Sequence, residues 1–212
     1  MNMKALTKFA TALLLAFSFI GSIAVRQPYN TQFKISSQSK LYIDAISTLH
    51  NFKINAKEIK GDLYIQNNDE PAGGLKISQL KVIIPVKKLD AGKGSMNKNM
   101  DEALKADKNP DITYSLDNVN TFNLSSDSTK PDVIKTTGKL TIAGVSKKIR
   151  MKIKGYRTND GILHFTGAKK INMVDFGVTP PAMFFGAISV SKDVRVHFDL
   201  VLTAQNELAG SK

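Results

Sequence analysis

Apolar residues recur at every second position along most of this chain, and that pattern restricts its fold more than any other feature. Val194, Val196, Phe198, Leu200 and Leu202 alternate with Arg195, His197 and Asp199. Ile149, Met151 and Ile153 alternate with Arg150, Lys152 and Lys154, and Phe52, Ile54 and Ala56 with Lys53, Asn55 and Lys57. Leu41 and Ile43, Leu63 and Ile65, Val82 and Ile84, Ile112, Tyr114 and Leu116, Leu140 and Ile142, and Leu163 and Phe165 repeat it. Successive side chains of a strand point to opposite faces, so each run is a strand with one apolar face. Asn159-Asp160-Gly161 and Ala143-Gly144-Val145-Ser146 fall between runs as hairpin turns. One-sided antiparallel strands expose their edges unless the sheet closes on itself. The chain is therefore predicted to be all-β, an antiparallel eight-stranded barrel. Such a barrel is either filled by its own side chains or holds one small ligand.

Two stretches depart from period two. Met96, Met100, Ala103 and Leu104 lie at i, i+4, i+7 and i+8 ahead of Asn109-Pro110, which predicts one short helix near residues 97–106. The segment INMVDFGVTPPAMFFGAISV (171–190) holds Phe176, Phe184, Phe185 and Pro180-Pro181, with Asp175 its one charge. Two prolines resist both helix and central strand, yet the segment is apolar where loops are ordinarily polar. It is expected at a rim of the barrel. Three roles are open to it: lining a pocket, plugging the barrel, or meeting a protein or membrane.

At the start, Lys4 and Lys8 precede an apolar run over residues 10–20, and Ser22-Ile23-Ala24 supplies small residues. That is a secretory signal, with cleavage expected after Ala24 and a periplasmic or secreted location. Residues 25–38 read as a polar lead-in, 39–206 as a single domain and 207–212 as a flexible tail. The chain has no Cys, so disulfides and thiolate chemistry are excluded. Its formal charge of +12 points to nucleic acid or an anionic membrane surface as partner. The basic residues are scattered and alternate with apolar ones, and no aromatic-studded basic motif occurs. Nucleic acid is therefore set aside, and the membrane surface is kept.

Nothing in the sequence is laid out for catalysis. His50, His164 and His197 have no metal-ligand spacing, and no Gly-x-Ser-x-Gly elbow or glycine-rich phosphate loop is present. No enzyme activity, metal or cofactor is expected.

Three segments in order carry a family resemblance. STLHNFKINAKEIKGDLYI (47–65), IPVKKLDAGKGSMNKNMDEALKADKNPDITYSL (84–116) and GKLTIAGVSKKIRMKI (138–153) together resemble the YceI-like family, and VDFGVTPPAMFFG (174–186) fits a subset of it. The resemblance covers about residues 40–204. It implies an exported, lipocalin-like barrel with an apolar tunnel for an isoprenoid or acyl-chain lipid, and no catalysis. Many members carry an Arg shortly before the Asp-Phe-Gly element, where this chain reads Ile171-Asn172-Met173-Val174.

The inward set expected to line such a tunnel is Leu116, Leu140, Ile142, Met151, Phe165, Met173, Phe176, Phe184, Phe198 and Leu200. His50, Asn51, Tyr114 and Asp175 are the polar candidates for its mouth. His50 is either a head-group donor or a structural histidine, and the helix either a flap or an end closure. The expected function is carriage of a long-chain amphiphile such as a polyisoprenoid, a quinone precursor or a fatty-acid-like lipid. The alternative is a ligand-free barrel that acts in the envelope through its basic surface and apolar rim loop.

Overall fold

The computed structural model describes residues 30–66, 75–119, 122–183 and 188–205. Among these residues, thirteen strands and one α-helix follow one another in chain order. The strands are β1 (Asn30–Ile35), β2 (Lys40–Ile46), β3 (Asn51–Ala56), β4 (Lys60–Gln66), β5 (Lys76–Pro85) and β6 (Leu89–Asp90), and then α1 (Gly94–Ala103). After it come β7 (Asp111–Val119), β8 (Asp132–Ile142), β9 (Val145–Arg157), β10 (Leu163–Asn172), β11 (Ala182–Met183), β12 (Ile188–Ser189) and β13 (Asp193–Ala204).

These pieces close into an antiparallel barrel of eight walls. The ring runs β1-β4-β5-β7-β8-β9-β10-β13, and β13 returns to β1 through Phe33↔Ala204 and Ile35↔Leu202. β2 continues the line of β1 along β13, with Asp44 opposite Arg195 and Lys40 opposite Asp199. β3 continues β4 in the same manner, and β6 continues β5 through its pairing with β3. Closure leaves no long wall edge to recruit another chain. Residues 30–35, read from the sequence as polar lead-in, are the strand that completes the ring. Their apolar alternation is only Phe33 and Ile35, too short to stand out without the partner strands.

The barrel has two different ends. At one lie the β2–β3 turn at residues 47–50, α1, the β8–β9 turn and the long β10–β13 connection; at the other lie the β9–β10 turn and the segment around Phe122. Towards the second end, Phe33, Leu63, Ile65, Ile134, Leu163 and Leu202 form the main core, each under one tenth exposed. Burying each such side chain stabilises the fold by about 1.5–3 kcal/mol. At the first end, Val86, Leu89, Ala106 and Ile112 pack under α1.

The helix starts and ends three residues earlier than its apolar spacing predicts. Asn97 lies inside the first turn, where its Oδ1 accepts from the Ala91 N–H at 2.8 Å and its Nδ2 donates to Asp90 Oδ1 at 3.1 Å. Lys105, with φ 55°, then takes the left-handed conformation that ends a helix, ahead of Asn109-Pro110.

Candidate functional site

Inside the barrel is a cavity of about 420 Å³, lined by residues of nearly every wall. Strand parity places them. β13 turns Val194, Val196, Phe198, Leu200 and Leu202 into the cavity, and β9 turns in Ile149, Met151 and Ile153. The cavity opens at the α1 end. Ser47 fixes the turn there: its Oγ donates to the His50 carbonyl at 2.8 Å and accepts from the Leu49 and His50 N–H groups at 3.3 and 3.2 Å. That sets His50 and Leu49 at the mouth, with Leu49 69% exposed. Met96, Asn99 and Met100 of α1 form the facing side.

The apolar segment 171–190 is part of this mouth. β11 pairs with β12, and β12 is tied to the β2–β3 turn by Thr48 N–H to Ser189 O at 3.0 Å and Ser191 N–H to Ile46 O at 2.7 Å. Pro181 and Val190 line the cavity from it. Phe184 lies outside the described residues, as does Phe185.

Of the apolar residues expected to line the cavity, Leu116, Leu140, Ile142, Met151, Phe165, Met173, Phe198 and Leu200 do so. Phe176 does not. The β9–β10 ladder ends at Gly167↔Ile153, although β8–β9 pairing runs on to Ile142↔Val145 and β10–β13 pairing to Asn172↔Asp193. The two strands diverge into a wedge, and a 3-10 turn over Met173–Phe176 fills it. Phe176 is 3% exposed there, packed with Ala143, Ile171 and Val178, while Met173 and Val178 reach the cavity. Asn172 caps the turn by accepting from the Val174 N–H at 3.0 Å.

The polar candidates divide. His50 and Tyr114 line the cavity. Asn51 does not, because it precedes the inward Phe52 on β3 and faces solvent; Asp175 is also exposed, on the outside of the 3-10 turn. His197 and His164 lie on outer faces, stacked on Tyr42 at 4.7 Å and on Tyr156 at 4.6 Å. Asp44 Oδ2 lies 3.0 Å from His197 Nε2. Among the described residues, no three His, Asp or Glu side chains converge to hold a metal ion.

Besides apolar residues such as Ile77, Leu80 and Ile134, four polar lining residues escaped the sequence reading: Ser47, Asn99, Thr136 and Lys169. Burial pushes the Tyr114 phenol up from its usual range, and the neighbouring Thr136 hydroxyl partly offsets this. Both hydroxyls are buried without a partner at hydrogen-bonding geometry. Among the described residues, Lys169 is the one Lys, Arg, Asp or Glu on the lining. The alternation Leu163, Phe165, Gly167, Lys169, Ile171 carries its inward parity, but lysine is ordinarily assigned to solvent.

The family model for the YceI-like domain matches residues 31–202. Among solved structures, the chain is similar to a polyisoprenoid-binding domain from Saccharophagus degradans implicated in plant cell wall breakdown, at 13% identity and TM-score 0.64, over 82% of this chain and 98% of that one. It is also similar to BcnA of Burkholderia cenocepacia, at 19% identity and TM-score 0.59, over 78% and 96%. The YCEI protein of Campylobacter jejuni matches at 24% identity and TM-score 0.53, over 74% and 86%. At these identities the likeness speaks for the fold. No curated protein matches the chain.

Proposed function

The chain belongs to the YceI-like family, and from that premise we propose that it is a non-enzymatic, exported carrier of an amphiphile, holding an isoprenoid or acyl chain inside the barrel. The observation that carries this reading is the cavity of about 420 Å³, within the range of small-molecule sites and lined almost wholly by hydrocarbon. Apolar surface removed from water contributes about 25 cal/mol per Å², so a long chain gains several kcal/mol before association costs. The Saccharophagus relative, named for polyisoprenoid binding, supports the same class of cargo. Export rests on the signal read in residues 1–24, and places the protein in the periplasm or outside the cell.

An anionic membrane surface is the proposed place of exchange. Ile46, Leu49 and Val174, each more than half exposed, lie at the mouth end, and without Lys4 and Lys8 the formal charge of +12 becomes +10 for the chain after Ala24. The test of carriage is native mass spectrometry of protein purified from its own envelope, with extraction of whatever is bound. A discrete prenyl or acyl mass supports carriage. A clean apo mass that persists after incubation with such amphiphiles overturns it, and leaves the basic surface and rim as the working parts.

A further inference from the structure

Lys169 is an unusual residue to find on this lining. Its strand neighbours in parity, Phe165 and Ile171, are buried, and its partner across the β10–β13 ladder is Val196. It stands at the wedge where β9 and β10 separate. Continuing their register would have set it against β9, but the ladder stops at Gly167↔Ile153. The Lys169 Nζ crosses the gap instead and donates to the Arg150 carbonyl at 2.9 Å. An ammonium has three N–H donors, and a neutral carbonyl satisfies one of them weakly. No carboxylate among the described residues pairs with Lys169. The next residue is a built-in contrast: Lys170 points outward and is held by Asp193 at 2.8 Å.

We propose that Lys169 is the anion-recognition point of the cavity, receiving a carboxylate or phosphate group of the amphiphile whose chain fills the barrel. The inference rests on the carrier reading and adds the charge of the cargo to it. The Arg150 carbonyl takes one of the three donors, and a bond between Nζ and an anion is stronger still, so an anionic head group binds at the remaining donors. The group then sits in the wall wedge, three residues or about 10 Å below the end of β10, and not at the axial mouth beside His50. Tyr114 and Thr136 offer only neutral hydroxyls that are already occluded, so they do not compete for it.

The test compares amphiphiles with one chain length and different heads: palmitate, hexadecyl phosphate and palmitamide, by isothermal titration at neutral pH. The full mature protein should prefer one of the anions over the amide by about tenfold or more; which anion leads tells carboxylate from phosphate. Lys169→Met should bring that ratio near one. Lys170→Met removes the same charge from the outer face and should keep the ratio. Lys169→Arg and Lys169→Gln form a second pair, the first keeping the preference and the second losing it, should the Met variant fail to fold. Equal binding of all three by the wild type, or equal loss of preference in the Lys169 and Lys170 variants, overturns the proposal while carriage stands. Failure of the wild type to bind any of them, or farnesyl phosphate beside them, overturns carriage and this proposal together.

Discussion

The ring of Tyr114 lies across Gly138 on the neighbouring strand: a Cβ on that glycine would sit 2.4 Å from both Tyr114 Cζ and Oη, and 2.5 Å from the Ser115 carbonyl oxygen. Gly155 accommodates Phe165 in the same manner, at 2.9 Å, and Gly167 accommodates Phe198 at 2.6 Å. All three rings line the cavity. Glycine inside a strand weakens it unless something approaches closely, and here a ring does so each time.

Gly138→Ala is therefore expected to destabilise the barrel by about 1–3 kcal/mol, the usual cost of overpacking. Thermal melting reads this directly. Adding Tyr114→Leu should recover only part of the loss, because the Ser115 carbonyl still meets the new methyl. Full recovery by the double variant would mean that the ring alone sets the constraint.

Met173 lies at the boundary of wedge and cavity. Enlarging it to Trp should reduce uptake of a C16 amphiphile by about tenfold or more, while retention of the fold is checked by circular dichroism. Unchanged uptake in a folded variant would remove Met173 from the path of the chain.

Phe176 should behave differently from the lining residues. Its truncation, Phe176→Ala, empties the wedge and is expected to cost about 3–5 kcal/mol. Hydrogen exchange should quicken in β9 residues 145–151 first, since no ladder to β10 protects them there. A mild cost, below about 1 kcal/mol, would argue that the wedge collapses onto the gap.

Asp90 anchors the entry to α1. Its carboxylate accepts from the Gly92 N–H at 2.8 Å and from Asn97 Nδ2 at 3.1 Å, and lies 3.3 Å from Lys57 Nζ; these hold its pKa below the ordinary 3.8. A folded pKa below the unfolded one gives stability that is present above pH 3.8 and lost as pH falls through the depressed value. The melting temperature should thus decline on acidification in that window, and Asp90→Asn should flatten the decline.

Membrane exchange makes its own prediction. Retention on anionic vesicles should fall with added salt, because exposed charges are screened beyond about 8–10 Å at physiological ionic strength. Leu49→Asp should lower it further by placing a negative group at the mouth. Retention that ignores both salt and Leu49 would point to a different surface.

Period two made seven of the eight walls legible, all but β1, since each of those runs shows its apolar face without reference to partners. It could not show depth, so Leu116 and Leu200 were placed by face alone. It also failed wherever the chain leaves the ladder. Phe176 belongs to a 3-10 turn whose direction depends on the divergence of two strands far apart in sequence, and no local pattern encodes that divergence. Lys169 was legible in parity and was passed over for its charge. β1 shows only two apolar positions, and its role depends on β13, some 170 residues later. The order of segments also carried the family, whose model spans residues 31–202.

The pairing of Phe33 with Ala204 sets an order on how this molecule can come into being. The strands β1 and β13 meet to seal the ring, so no version of the chain that lacks either one can be a finished barrel. Every hairpin between them can form as its own two halves emerge, but the seam waits for the C-terminal strand. Contacts this distant in sequence make folding slow. A chain emerging from its N-terminus therefore stays open, and able to be threaded lengthwise, until nearly its last residue is in place.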